Sequence, residues 1–145
     1  MIQKFVDSWF KKEAVTRAWF NENPATEYIH IVRAAINAIT DTDEGGWNPT
    51  PDPVRINEID DGNYQGTLVY VIGETGYQPS RYWYVRVSYG SCSGCDTLAR
   101  INGWGYWGDD DAPRQSEEKA ARVAGYMTLA LHIIQGLREM EGELV

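Results

Sequence analysis

Apolar positions recur at helical spacing over residues 4 to 20. Phe5 and Trp9, and Val6 and Phe10, are each four apart, and Trp19-Phe20 closes the run. Asn23-Pro24 then has the form of an N-cap followed by proline at the first helical position. A second helix is predicted over about 24 to 40, with Tyr28, Ile31, Val32, Ala35 and Ile39 as its apolar stripe. Residues 41 to 53, rich in acids, glycine and proline, read as a loop. Period-two character follows. Val54 to Ile59 and Gly66 to Gly73 flank the turn signal Asp60-Asp-Gly-Asn63, and a second turn, 73 to 80, leads to a strand over Arg81 to Tyr89. Connections this short predict a three-stranded antiparallel meander. In the last strand Trp83, Val85, Val87 and Tyr89 are assigned to the core, and Tyr82, Tyr84, Arg86 and Ser88 to the other, wetter face.

Beyond Gly90 the chain turns through Ser91-Cys-Ser-Gly94 into a short helix expected over 95 to 102. The stretch 103 to 111 reads as a loop. Ser116 is placed as the cap of a long C-terminal helix, with Glu117 and Glu118 in its first turn and Val123, Met127, Ala130, Ile134 and Leu137 as its buried stripe. Two N-terminal helices, a meander, a short helix and a long one make an α+β layout. The chain has 145 residues, no internal repeat and no linker, so one domain spans 1–145. A core of ordinary size needs no covalent staple at this length.

Charge removes some classes of partner. The formal net charge is −8 with no basic run, the reverse of what phosphate neutralisation requires, so direct nucleic-acid binding is not expected. A partner with a basic surface suits that balance. No apolar stretch approaches a membrane span, and the N-terminus lacks the form of a signal peptide. With two Cys and no export signal, free thiols in a reducing cytoplasm are expected. Nine Tyr and six Trp favour half-buried positions and binding faces, which leaves a homodimer open.

Candidate chemistry centres on Cys92-Ser-Gly-Cys95. A turn feeding a helix N-terminus favours thiolate, which suggests redox work. Redox pairs of this spacing, however, usually sit in a βαβ unit rather than after a meander. Structural zinc needs four Cys or His ligands, and beyond this pair the chain offers only His30 and His132, which are better read as hydrogen-bonded interfacial side chains. Cys92 and Cys95 are therefore weak metal candidates, and no cofactor is expected. The same turn also suits an anion nest built from Arg86, Ser91, Ser93 and Gly94, with Tyr84 alongside. Phosphate-loop and dinucleotide spacings, G-x-S-x-G and H-E-x-x-H are all absent. In the 103–111 loop, Trp104, Tyr106 and Trp107 alternate with glycines and precede Asp109, Asp110 and Asp111. Such an acid-rimmed aromatic cluster suits a protein interface.

The run Tyr89-Gly-Ser-Cys-Ser-Gly-Cys-Asp-Thr-Leu98 has two supporting segments. They are Asp61-Gly-Asn-Tyr-Gln-Gly-Thr67 upstream and Tyr126-Met-Thr-Leu-Ala-Leu-His132 downstream. Together these resemble a family of small tailed-bacteriophage proteins with no assigned activity, over about residues 54 to 137. The resemblance implies a viral accessory protein working in the host bacterial cytosol. The expectation is a non-catalytic protein that binds and modulates a host protein, in anti-defence for example. The alternatives are a binder that sequesters a nucleotide or other anion at the Ser/Gly turn, and a metal or thiol protein using Cys92 and Cys95.

Overall fold

The computed structural model describes residues 2–40, 50–60, 66–75, 81–89, 97–102 and 112–140. Among them the chain runs α1 (Ile2–Lys11), α2 (Glu13–Glu22), α3 (Tyr28–Ile39), β1 (Pro51–Asp60), β2 (Gly66–Glu74), β3 (Tyr82–Tyr89), α4 (Thr97–Ile101), α5 (Ala112–Gly136) and β4 (Arg138–Glu139). The class is α+β, as the pattern predicts. The meander has a fourth strand: the sheet order is β1-β2-β3-β4, antiparallel throughout. β4 has two residues, too few for any alternation to announce it.

The helix expected over 4 to 20 is two helices. Lys12 leaves helical geometry, with its N–H shared between the carbonyls of Ser8 and Trp9. The break re-aims the chain. α1 carries Phe5 edge-on to Trp83 in the sheet, with ring centroids 6.1 Å apart, while α2 carries Phe20 to Tyr126 of α5 at 5.3 Å. Asn23 does not cap the next helix. It ends α2, with both its backbone N–H and its side-chain amide donating to the Trp19 carbonyl. α3 starts four residues after Pro24, at Tyr28. There Nδ1 of His30 accepts the N–H groups of Thr26 and Glu27 at 3.3 Å, so this histidine serves the helix start.

The inner sheet face is built from cross-strand rows. Ile56, Ile72 and Trp83 form one, Glu58, Tyr70 and Val85 the next, and Asp60, Leu68 and Val87 the third. α3 lies against β1 and α5 against β3, with α1 and α2 packed on both helices. The predicted stripes of α3 and α5 are buried in this layer, as are Trp83, Val85 and Val87. Tyr89 is half-buried at the end of that face, and Arg86 and Ser88 are exposed on the other.

Two boundaries move. Pro51 and Pro53, expected in a loop, lie in β1. β1 is an edge strand, where a missing N–H costs no ladder bond, and its register shifts between Pro51 and Ile56. α5 starts at Ala112, so Ser116 is inside the helix and is not its cap. Pro113 occupies the first turn, where no intrahelical donor is needed.

Candidate functional site

Arg86 is the one residue of the expected anion nest among those described. Ser91, Ser93 and Gly94 lie outside them, as do Cys92 and Cys95 and the interface candidates Trp104, Tyr106, Trp107, Asp109, Asp110 and Asp111. Arg86 borders a cleft of about 380 Å³ between β3 and α5. Tyr84 borders it too. The floor is apolar, with Val85 and Val87 on the strand side and Leu129 and Ile133 on the helix side. His132 of α5 and Arg138 of β4 add positive or ionisable groups at the rim. Among the described residues no carboxylate lines this cleft, and neither Arg86 nor Arg138 enters an ion pair. In a chain of net charge −8 this is a local inversion of sign.

The backbone beside the cleft is as specific as its side chains. Among the described residues β4 pairs with β3 at Trp83 and Tyr84, and Met140 N–H donates to the Tyr82 carbonyl at 2.8 Å. On the opposite side Glu74 N–H donates to the Arg81 carbonyl at 3.0 Å. In an antiparallel strand a residue's N–H and C=O point the same way, and the direction alternates. Even-numbered residues of β3 therefore present their backbone groups away from β2. Tyr82 and Tyr84 meet the β4 segment. Among the described residues Arg86 and Ser88 meet no strand. The C-terminal end of α5 meets β3 at this same end of the cleft, two residues before β4 begins. A Cβ on Gly136 would stand 3.4 Å from Val85 Cγ2, so helix and strand are in contact there.

Tyr28 separates this cleft from a second one of about 340 Å³, whose lining includes Glu27, Glu58 and Asp60. Glu58 and Asp60 point inward from the edge strand and accept hydrogen bonds from Tyr70 Oη at 2.6 Å and Tyr89 Oη at 2.5 Å. Burial first, then the bond and charge of Glu58, push the Tyr70 phenol well above its ordinary pKa. Tyr28 Oη accepts the N–H of Leu98 at 3.1 Å, and Asn102 Nδ2 donates to the Ala25 carbonyl at 2.9 Å while its Oδ1 accepts from Tyr126. These bonds hold both ends of α4. The stripe pattern assigned Tyr28 only as apolar surface and left Tyr126 out of the α5 stripe; their hydroxyls do the fastening. Among the described residues no group of three His, Cys, Asp or Glu side chains comes together to hold a metal ion.

A third feature lies near the opposite sheet edge. Val15 and Trp19 of α2, Arg33 and Asn37 of α3, and Pro53 and Val54 of β1 line a groove of about 310 Å³. Val15 is 72% exposed, Trp19 44% and Val54 84%, so three large apolar side chains meet solvent in one place. Helical periodicity marked Trp19 as the end of a buried run. Nothing local distinguishes its exposed ring from the buried Phe20 beside it.

No family model matches the chain, and no curated protein or solved structure matches it significantly. Among the described residues no helix is long and apolar enough to cross a membrane.

Proposed function

We propose that this chain is a phage-type accessory protein that acts by binding, without catalysis, and that its target is a host protein whose activity it antagonises or modulates, anti-defence being one such role. The observation that supports the reading best is the solvent-facing groove of Val15, Trp19 and Val54. An exposed tryptophan flanked by aliphatic side chains and a guanidinium has the composition of a binding hot spot. The chain's charge of −8 favours encounter with a partner carrying basic groups around an apolar patch. The resemblance to tailed-phage proteins supplies the setting, a bacterial cytosol.

The test is capture of a partner from a bacterial lysate by the wild-type chain, followed by quantitative binding of the isolated partner. Trp19→Ala is expected to weaken binding by about 2 kcal/mol or more, roughly thirtyfold. Because Trp19 is nearly half exposed, its effect on folding should stay near ~1 kcal/mol. Unchanged affinity for both Trp19→Ala and Val54→Asp would remove this groove from the reading.

A further inference from the structure

We propose that the cleft between the free edge of β3 and α5 accepts an extended acidic peptide segment of a partner protein, added to the sheet as a strand beside Arg86 and Ser88. This goes beyond the reading above, because it concerns the opposite sheet edge and a different chemistry.

The two edges of the sheet differ in a telling way. Exposed edges invite pairing with other chains, and proteins commonly block them with proline, irregular register or inward-pointing charge. β1 carries all three: Pro51 and Pro53, a register shift before Ile56, and Glu58 and Asp60 on the inner face. β3 carries none of them. It pairs with β2 in unbroken register from Gly66↔Tyr89 to Gly73↔Tyr82, so its far side is straight and regular. β4 uses that side opposite Trp83 and Tyr84, beginning at Arg138 and running away from Arg86. Among the described residues nothing pairs in the same lane past Arg86 and Ser88, and the N–H and C=O of both residues are directed into it.

The side chains specify what suits the lane. A residue of an added strand placed opposite Arg86 shares its sheet face and stands within reach of the guanidinium. Arg138 is directly opposite Tyr84, so it is on that same face, one step along. Both cations lack a carboxylate among the described residues, and an Asp or Glu at that position of the incoming strand supplies one. Alternate residues of the incoming strand turn to the other face, toward Val85, Val87, Leu129 and Ile133, where aliphatic side chains fit. The recognised segment is thus extended, with acidic and apolar residues alternating. A small anion fits less well, because the edge presents carbonyl acceptors of Arg86 and Ser88 as well as donors, and the cleft floor is apolar. Main-chain bonds to a strand edge, with pockets for alternate side chains, constitute an established mode of peptide recognition.

The experiment uses the full chain and fluorescently labelled short peptides in which Glu alternates with Val or Ile, read by polarisation. Binding that weakens with added salt is expected. Arg86→Glu combined with Arg138→Glu should weaken it at least ~tenfold by placing like charges together. N-methylation of the peptide at alternate amides should abolish binding in one register and spare it in the other, since only one set of amides faces β3. Ser88→Pro removes an edge donor without touching the ladder to β2 and should also weaken binding. The N-methyl peptides keep the test valid if that variant folds poorly. Trp19→Ala should leave this binding unchanged, so failure at one edge is separable from failure at the other. The proposal is overturned by no binding of any alternating peptide, by equal binding of both N-methylated registers, or by inorganic phosphate or ATP displacing the peptide while N-methylation has no effect.

Discussion

Trp83 shows how one residue mixes gain and cost. It is fully buried, edge-on to Phe5 and in the row with Ile56 and Ile72. Its indole N–H is also buried and has no hydrogen-bond partner among the described residues. An unmet buried donor costs about 1–3 kcal/mol. Trp83→Phe removes that donor but leaves a smaller ring, so the two effects offset and stability should change by no more than ~1 kcal/mol. Trp83→Ala removes the donor as well but opens a far larger cavity, and a loss of about 3–5 kcal/mol is expected. Urea unfolding of the two variants checks this, and equal losses would contradict it. The alternation of β3 placed Trp83 in the core correctly, because strand periodicity is local. It carried no information about the N–H, whose partner would have to come from another part of the chain.

At the level of elements, contacts between segments decide what the periods leave open. α4 rests on α5 at Gly125, where an added Cβ would stand 2.8 Å from Ile101 Cγ2 and 2.9 Å from its Cγ1. Alanine is the better helix former by about 1 kcal/mol. Here that advantage is outweighed by displacement of a branched side chain held close to its backbone. Gly125→Ala is expected to destabilise the protein by about 1–3 kcal/mol. Ile101→Ala in the Gly125→Ala background should recover part of the loss, a non-additivity that a double-mutant cycle reads directly. If Gly125→Ala proves stabilising, the α4–α5 packing described above is wrong. The same level explains the boundary shifts. Asn23-Pro24 satisfies the rules for a helix start, yet Asn23 closes the preceding helix, since both of its donors reach the Trp19 carbonyl. The continuous pattern over 4 to 20 hid the break at Lys12, because an apolar stripe can be kept on both sides of a bend.

For the whole molecule, burial and charge act together on pH dependence. Tyr70 holds its proton more tightly in the folded chain than in the unfolded one, first because it is desolvated and next because of Glu58. A group whose pKa is raised by folding contributes stability that is fully present below its unfolded pKa, about 10 for tyrosine, and is lost as pH rises toward the folded value. Stability should therefore fall with increasing pH above about 10. Added negative charge on a chain already at −8 works in the same direction. Tyr70→Phe should lose about 1 kcal/mol at neutral pH with the Glu58 bond, and should show a shallower alkaline decline. Unfolding by urea across a pH series measures both, and an unchanged alkaline slope would contradict the assignment.

The amino-acid sequence by itself determined the α+β class, the helical stripes, the three main strands and the inner face of β3. These follow from periods of 3.6 and two, which are properties of neighbouring residues. It also determined the acidic balance and placed Arg86 on the exposed face of its strand. The tertiary structure decided the rest. β4 exists because α5 ends against Val85 and delivers Arg138 to the sheet edge. Trp19 is exposed because α2 meets its neighbours through Thr16 and Phe20 instead. Among the described residues the lane beside Arg86 is open, because β4 begins at Arg138 opposite Tyr84 and runs away from it. Each of these depends on which segments meet across the fold, and a local pattern of apolar and polar residues does not encode a meeting between distant segments.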